Sequence, residues 1–126
     1  MDYKMQIDLC LYGNSIPPKE ITDMLGVEPD TALLKGERNK ERDLPRQNLW
    51  SLRSDPNGDS VEKQWYSIIQ RLGNKWDQFV DVSKRGDVKI TIIVNVDEYI
   101  PSIMIPPNMA FAAATLNAYI DIDHYK

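Results

Sequence analysis

Two long segments of the chain alternate apolar and polar side chains, and this alternation restricts the fold more than any other feature. The segments are residues 3–12 and residues 88–96. A period of two is typical of a β-strand that buries one face and exposes the other. Strands of this kind form a sheet with one apolar face, and a layer of helices must cover that face. The alternation therefore predicts an α+β fold with helices on one side of the sheet.

Three segments have the apolar spacing of helices that cover such a face. The first begins at Pro18 and ends at Gly26, where a left-handed residue stops a helix. The second begins after a cap at Asp59 or Ser60 and has the strongest helical period in the chain. Gly73 lies inside it and predicts a bend or an end. The third is alanine-rich, begins with proline within residues 105–119, and is suited to close packing on the sheet.

Weaker patterns predict the remaining strands. Residues 49–54 and 120–125 have the alternation of short strands, and residues 101–105 are predicted to pair with 88–96 in a hairpin. Residues 31–36 are consistent with a brief strand or a turn. The predicted order is β-α-β-α-β-β-α-β, in one domain over residues 1–126. We expect a mostly antiparallel sheet of about five strands with three helices packed on one face.

Composition and charge exclude several classes of protein. The net charge is −4 and the chain has one cysteine, Cys10. An acidic protein repels phosphate backbones, so we expect no nucleic-acid partner. No apolar run reaches the roughly 20 residues of a membrane helix, and the N-terminal residues lack a signal-peptide pattern. Because a lone cysteine cannot form an internal disulfide, we expect a cytoplasmic protein.

The sequence contains no catalytic or metal-binding motif, and we predict no enzyme activity and no cofactor. His124, the single histidine, follows Asp121 and Asp123 in a D-x-D-H arrangement that resembles a metal site. On a strand, however, His124 lies on the opposite face from the two aspartates. We therefore interpret these carboxylates as solvated groups.

Other candidate groups have simpler structural interpretations. Cys10 as a nucleophile needs a base or a lowered pKa, and a quiet cysteine on a sheet face is the favoured interpretation. The pair at residues 97–98, Asp-Glu, fits a solvated hairpin turn. Trp50, Trp65 and Trp76 lie on apolar stripes, so we expect them in the core and not as a stacking platform for bases.

The outward face of the sheet and one charged loop remain as candidate binding surfaces. The residues predicted to share the outward face are Lys4, Asp8, Tyr12, Arg53, Lys89, Ile93, Asp121, Asp123 and Tyr125. Tyrosine and arginine among charged residues are typical of protein interfaces. Residues 35–46 form a predicted surface loop whose five basic and three acidic side chains sum to +2. As partner-binding candidates we select Tyr12, Arg53, Asp121, Asp123 and Tyr125 on the face, and Arg38 and Arg42 in the loop.

Short motifs distributed along the chain resemble one bacterial family. They are Ile21-Thr22-x-x-Leu25-Gly26-x-x-Pro29, Lys35-Gly36, Trp50-x-x-x-Ser54 and Ile120-Asp121-x-Asp123-x-Tyr125. In this order they resemble DUF4279, a domain of unknown function. The resemblance implies a small stand-alone cytoplasmic protein with no established enzyme activity. Some similar proteins look like immunity partners of bacterial toxins.

These observations favour a non-enzymatic binding protein, and the resemblance extends this to a toxin-neutralising immunity protein that occludes its partner. The expected partner is another protein, with no membrane and no nucleic acid. The alternative is a small-molecule-binding or regulatory domain with a pocket between the sheet and the helices or beside the charged loop. A third hypothesis is a minor enzyme that uses Cys10 or the pair Asp121 and Asp123.

Overall fold

The computed structural model of the protein describes residues 3–96 and 101–125. Its strands are β1 (Tyr3–Tyr12), β2 (Thr31–Leu33), β3 (Leu49–Arg53), β4 (Asp87–Val96) and β5 (Tyr119–Tyr125). Its helices are α1 (Pro18–Leu25), α2 (Val61–Leu72), α3 (Trp76–Ser83) and α4 (Pro107–Leu116). None of the helices in these two ranges is long and apolar enough to cross a membrane.

The five strands form one sheet in the order β2-β3-β1-β4-β5. All neighbours are antiparallel except β4 and β5, which are parallel. The longest pairing joins β1 to β4 and places Ile7 beside Ile92 and Leu9 beside Ile90. The prediction of an α+β fold with a mostly antiparallel sheet of five strands is confirmed.

The helices pack on one face of this sheet, as the alternation predicts. One hydrophobic cluster joins the inward residues of β1, β3 and β4 to the apolar stripes of all four helices. Cys10 and Ile93 are also buried but belong to the opposite side of their strands and lie outside this cluster. The two faces of the sheet therefore have separate environments.

Helix α1 ends where the sequence predicts. Gly26 has φ +65°, and its N–H donates a hydrogen bond to the carbonyl oxygen of Thr22. No heavy atom lies within 4 Å of the position that a Cβ of Gly26 would occupy, so the left-handed backbone and not crowding favours glycine there. The Thr22 hydroxyl also accepts a hydrogen bond of 3.0 Å from the Trp50 indole N–H, which ties α1 to β3.

The second predicted helix is divided at Gly73, where φ is +57° and a turn of 3-10 helix separates α2 from α3. The predicted interruption is confirmed. Ser60, and not Asp59, caps α2, because the Ser60 hydroxyl accepts a hydrogen bond from the Lys63 N–H at 3.1 Å.

The structure also confirms that the tryptophans belong to the core. Trp50 and Trp65 are fully buried. Trp76 is half-buried and stacks on the buried Phe79 with the ring centroids 6.1 Å apart. All three rings are therefore used for packing beneath the sheet, and none forms an exposed stacking platform.

The predicted hairpin was wrong. Residues 101–105 form no strand, and the second neighbour of β4 is β5, which runs parallel to it. A parallel pair needs a crossover that returns the chain to the starting end of the sheet, and α4 lies within that crossover. The remaining strand of the sheet is β2. It lies in residues 31–36, the segment predicted as either a brief strand or a turn. The predicted turn at Asp97 and Glu98 lies outside the described residues.

Candidate binding surface on the open face of the sheet

The open face is the side of the sheet that no described helix or strand covers. Because paired residues lie side by side, its side chains form rows across the strands. In order along the sheet, the rows are Lys4–Asn95–Tyr125, Gln6–Ile93–Asp123, Arg53–Asp8–Thr91–Asp121, Ser51–Cys10–Lys89–Tyr119 and Leu49–Tyr12–Asp87. The face is thus polar across its width, with tyrosine at both ends.

The centre of the open face is buried. Ser51, Cys10, Thr91 and Ile93 are only 4, 7, 7 and 9% exposed although no described helix or strand lies over them. The same rows also carry the longer side chains of Arg53, Lys89 and Tyr119. The open face thus combines a buried centre with charged and aromatic side chains around it.

Asp8 is a charged residue on the middle strand of the open face, β1. Burial raises the pKa of its carboxyl, against the opposing effects of Arg53 and the Ser51 hydroxyl. One oxygen lies 4.0 Å from the Arg53 guanidinium, and the other, Oδ1, is buried without a hydrogen-bond partner among the described residues. A carboxyl in this position holds a proton more readily than an exposed one.

Cys10 lies beside Lys89 in the next row. Burial and the nearby Asp8 raise the pKa of the Cys10 thiol to about 12, in spite of the Lys89 charge. The thiol is therefore protonated at neutral pH and is a poor nucleophile. His124 pairs with Val94 on the helix side of the sheet, so it cannot serve as a base for Cys10.

The same register separates His124 from Asp121 and Asp123, which lie on the open face, as predicted. Among the described residues, no group of three His, Cys, Asp or Glu side chains is placed to hold a metal ion. The D-x-D-H arrangement is therefore not a metal site in the described structure.

The structure brings together five of the seven residues predicted to bind a partner: Tyr12, Arg53, Asp121, Asp123 and Tyr125 share the open face. Arg38 and Arg42 lie apart from them, exposed on the loop between β2 and β3. Backbone hydrogen bonds between Asn39 and Leu44 close this loop on itself. The surface-loop prediction is confirmed, and the two arginines form a separate patch.

Sequence reasoning missed Tyr119 as a member of the face. Tyr119 is exposed at the end of the row that contains Cys10, and it was overlooked because the last strand was predicted to begin one residue later. Extending the alternation of β5 back by one residue identifies it. Ser51 lies on the outward side of β3, as the alternation of residues 49–54 indicates, but the burial of a serine on that side has no local signal.

Two clefts lie away from the open face. One, of about 390 Å³, is lined by Met5, Met104, Ile105 and the first residues of α2 and α4. The other, of about 550 Å³, lies between α1 and β2 and includes Pro17, Pro29 and Leu34. Both are partly open to solvent, and each offers a concave and mainly apolar lining.

Comparison with known proteins assigns the chain to a family. The family model of DUF4279, a domain of unknown function, matches residues 3–126. The chain belongs to the DUF4279 family. No curated protein and no solved structure matches it. Because the family description names no activity, the function of this DUF4279 protein is inferred from its surfaces.

Proposed function

We propose that this DUF4279 protein is a non-enzymatic binding protein that docks on another protein through the open face of its sheet. The observation that carries the proposal is the uncovered five-stranded face, with its buried centre and the Tyr, Arg, Lys and Asp side chains around it. Tyrosine and arginine are enriched among the residues that anchor protein interfaces. A raised thiol pKa at Cys10 and the separation of His124 from the aspartates argue against catalysis on this face.

Charge supports a basic partner. The protein has a net charge of −4, and on the β4–β5 side of the open face Asp87, Asp121 and Asp123 outnumber Lys89. An acidic surface attracts a basic one during encounter and favours the correct orientation. We propose that the partner is a bacterial toxin whose basic active-site or substrate groove is occluded by this face, so that the protein acts as an immunity protein.

The test is affinity capture from host lysate at low salt, with two matched double variants. Asn95→Lys with Tyr125→Ala adds a positive charge and removes an aromatic ring in one row of the open face. Gln70→Lys with Tyr66→Ala makes the same changes at exposed positions of α2. We expect the wild-type protein and the α2 variant to capture one stoichiometric partner and the open-face variant to lose it.

Equal capture by both variants would show that the partner binds elsewhere. No partner at micromolar protein concentration, under conditions in which toxins of the host are expressed, would refute the proposed function. Inhibition of the captured partner by the wild-type chain, measured in the partner's own assay, would identify an immunity protein. Capture without inhibition would leave a binding protein of another kind.

A small-molecule-binding function is the second candidate, and the cleft beside Met5, Met104 and Ile105 favours it. Its volume of about 390 Å³ lies within the range of about 300–1,000 Å³ typical of ligand sites. A ligand that binds only the folded protein raises the melting temperature. A panel of metabolites that leaves the melting temperature unchanged would remove this candidate.

We also propose a bacterial, cytoplasmic site of action. The chain has a single cysteine, which is buried and unpaired, as is usual where thiols stay reduced. Fractionation of the host with an antibody against the protein tests this, and recovery in a secreted or envelope fraction would contradict it.

A further inference from the structure

The two edge strands of the sheet differ in length. At one edge, β2 spans only three residues. At the other, β5 spans seven residues and pairs on one side with β4 alone. Among the described residues, nothing pairs with the outer side of β5. An unpaired strand of this length presents backbone N–H and C=O groups to which another strand can bond.

The side chains of β5 give this edge two different faces. Ile120 and Ile122 point to the helix side, where their neighbours Ile90 and Ile92 on β4 are completely buried. Ile120 and Ile122 are nevertheless 37 and 39% exposed. The apolar layer beneath the sheet is therefore left uncovered along the outermost strand, and one more strand would cover it.

On the open side, β5 presents two carboxylates. Asp121 and Asp123 lie beside Thr91 and Ile93, which carry no charge. Neither aspartate forms an ion pair with any residue in 3–96 or 101–125. Because neighbouring strands place their side chains in common rows, opposite charges beside these aspartates stabilise a pairing and like charges weaken it.

This charge pattern disfavours a second copy of the same chain at the edge. In an antiparallel pairing centred on Ile122, Asp121 of one copy lies beside Asp123 of the other. Pairings centred on Asp121 or on Asp123 place that aspartate beside its own equivalent. Each of these antiparallel registers between two copies of β5 therefore places carboxylates side by side, where they repel each other.

We infer that β5 receives an extended segment of a partner protein, with basic side chains beside Asp121 and Asp123 and apolar side chains beside Ile120 and Ile122. The inference rests on the proposed function and names the chemistry of its partner. The added strand extends the sheet, covers the exposed isoleucines and neutralises the acidic side of the open face. Backbone hydrogen bonds supply affinity, and the alternation of basic and apolar side chains supplies specificity.

The direct test uses two capped synthetic peptides, Val-Lys-Val-Lys-Val-Lys-Val and the same peptide with glutamate at each lysine position. Binding is followed by NMR shifts and hydrogen exchange of the backbone amides. We expect the lysine peptide to shift and protect the β5 amides and the glutamate peptide to leave them unchanged. No change at β5 with the lysine peptide at millimolar concentration, or changes confined to other strands, would overturn the inference.

Charge reversal provides the matched variants. Asp121→Lys with Asp123→Lys is expected to weaken binding of the lysine peptide about tenfold or more and to create binding of the glutamate peptide. The control, Asp77→Lys with Asp81→Lys, makes the same change in charge at exposed positions of α3 and should keep the wild-type preference. An unchanged preference in the β5 variant, with its melting temperature preserved, would overturn the inference.

The same variants separate this inference from the proposed function. If the captured native partner is lost with Asn95→Lys and Tyr125→Ala but retained with Asp121→Lys and Asp123→Lys, the function stands and the edge proposal falls. If the wild-type chain captures nothing, the function falls and the peptide titration still decides the edge. Sedimentation showing a wild-type dimer with protected β5 amides would assign the edge to a second copy and overturn the inference.

Discussion

The two faces of the sheet are built from the same strands but differ in what holds their side chains in place. On the helix side, Ile7, Leu9, Ile90 and Ile92 are completely buried in one apolar cluster. On the open side, the central residues are buried although no described helix or strand lies over them. Burial of apolar area stabilises the first face, whereas the second contains a carboxyl and a thiol that burial disfavours in their charged forms. The burial that stabilises the fold and the surface proposed to bind a partner are thus on opposite faces of one sheet.

The largest loss of stability is expected from a substitution on the helix side of the sheet. Trp50→Ala removes a completely buried ring and its hydrogen bond to Thr22, and it should lower the free energy of unfolding by about 3–5 kcal/mol. Tyr125→Ala on the open face should change it by less than about 1 kcal/mol. Urea unfolding followed by tryptophan fluorescence and circular dichroism measures both. Similar losses for the two variants would contradict the separation of the faces.

A smaller effect is expected at the end of α1, within the helix layer. Gly26→Ala introduces a Cβ at φ +65° and should cost about 1 kcal/mol, because the left-handed backbone is unfavourable for alanine. Since no atom lies within 4 Å of the new methyl group, no additional clash is expected. Gly26→Asn, which tolerates this backbone better, should cost less. A neutral or stabilising Gly26→Ala in thermal unfolding would contradict this account.

Two aspartates should give opposite pH dependences. Burial raises the pKa of Asp8, so the folded state holds this proton more tightly, and the contribution of Asp8 falls as pH rises through its folded pKa. At Asp30, burial acts to raise the pKa, but the Arg53 N–H and the Arg71 guanidinium lower it overall. Its contribution is present above the unfolded pKa and is lost as pH falls through the folded pKa.

The measurement is the free energy of unfolding against pH, from about pH 3 to pH 7. Asp8→Asn should remove the part of the profile that falls with rising pH, and Asp30→Asn the part that rises. The two variants are controls for each other, because each replaces one carboxyl by an amide. If both substitutions changed the slope of the free energy of unfolding against pH in the same direction, the environment described for Asp8 or for Asp30 would be wrong.

The last prediction concerns the reactivity of the open face and not stability. With the pKa of the Cys10 thiol at about 12, its reaction with a thiol reagent at pH 8 should be about a thousandfold slower in the folded protein than in urea. The unfolded chain is the control, since it exposes the same thiol. Rapid labelling of the folded protein would show that the centre of the open face is accessible and that the thiol is activated.

Most of the fold was predictable because its signals are local. The alternation in β1 and β4, the stop at Gly26 and the interruption at Gly73 are each contained in a few neighbouring residues. The members of the open face followed from the same alternation, and nine of them were assigned to it correctly: Lys4, Asp8, Tyr12, Arg53, Lys89, Ile93, Asp121, Asp123 and Tyr125. The family followed from motifs spread along the chain.

The strand order was not predictable in the same way. Residues 101–105 have a composition suited to a strand, yet β4 pairs with β5 because α4 carries the chain across the sheet. Similarly, β2 was ambiguous because three residues carry little periodic signal. These assignments depend on contacts between elements that are distant in sequence, so the pattern of any one segment does not contain them.

By itself, the sequence determined which residues alternate, where α1 begins and ends, and which side of each strand is polar. Tertiary structure alone decided that β5 lies at an edge and parallel to β4, so that Asp121 shares a row with Asp8 and Arg53. It also decided that the centre of the open face is buried. The physical reason is that side-chain periodicity is a local property of the backbone, whereas strand neighbours and burial are set by packing of the whole chain.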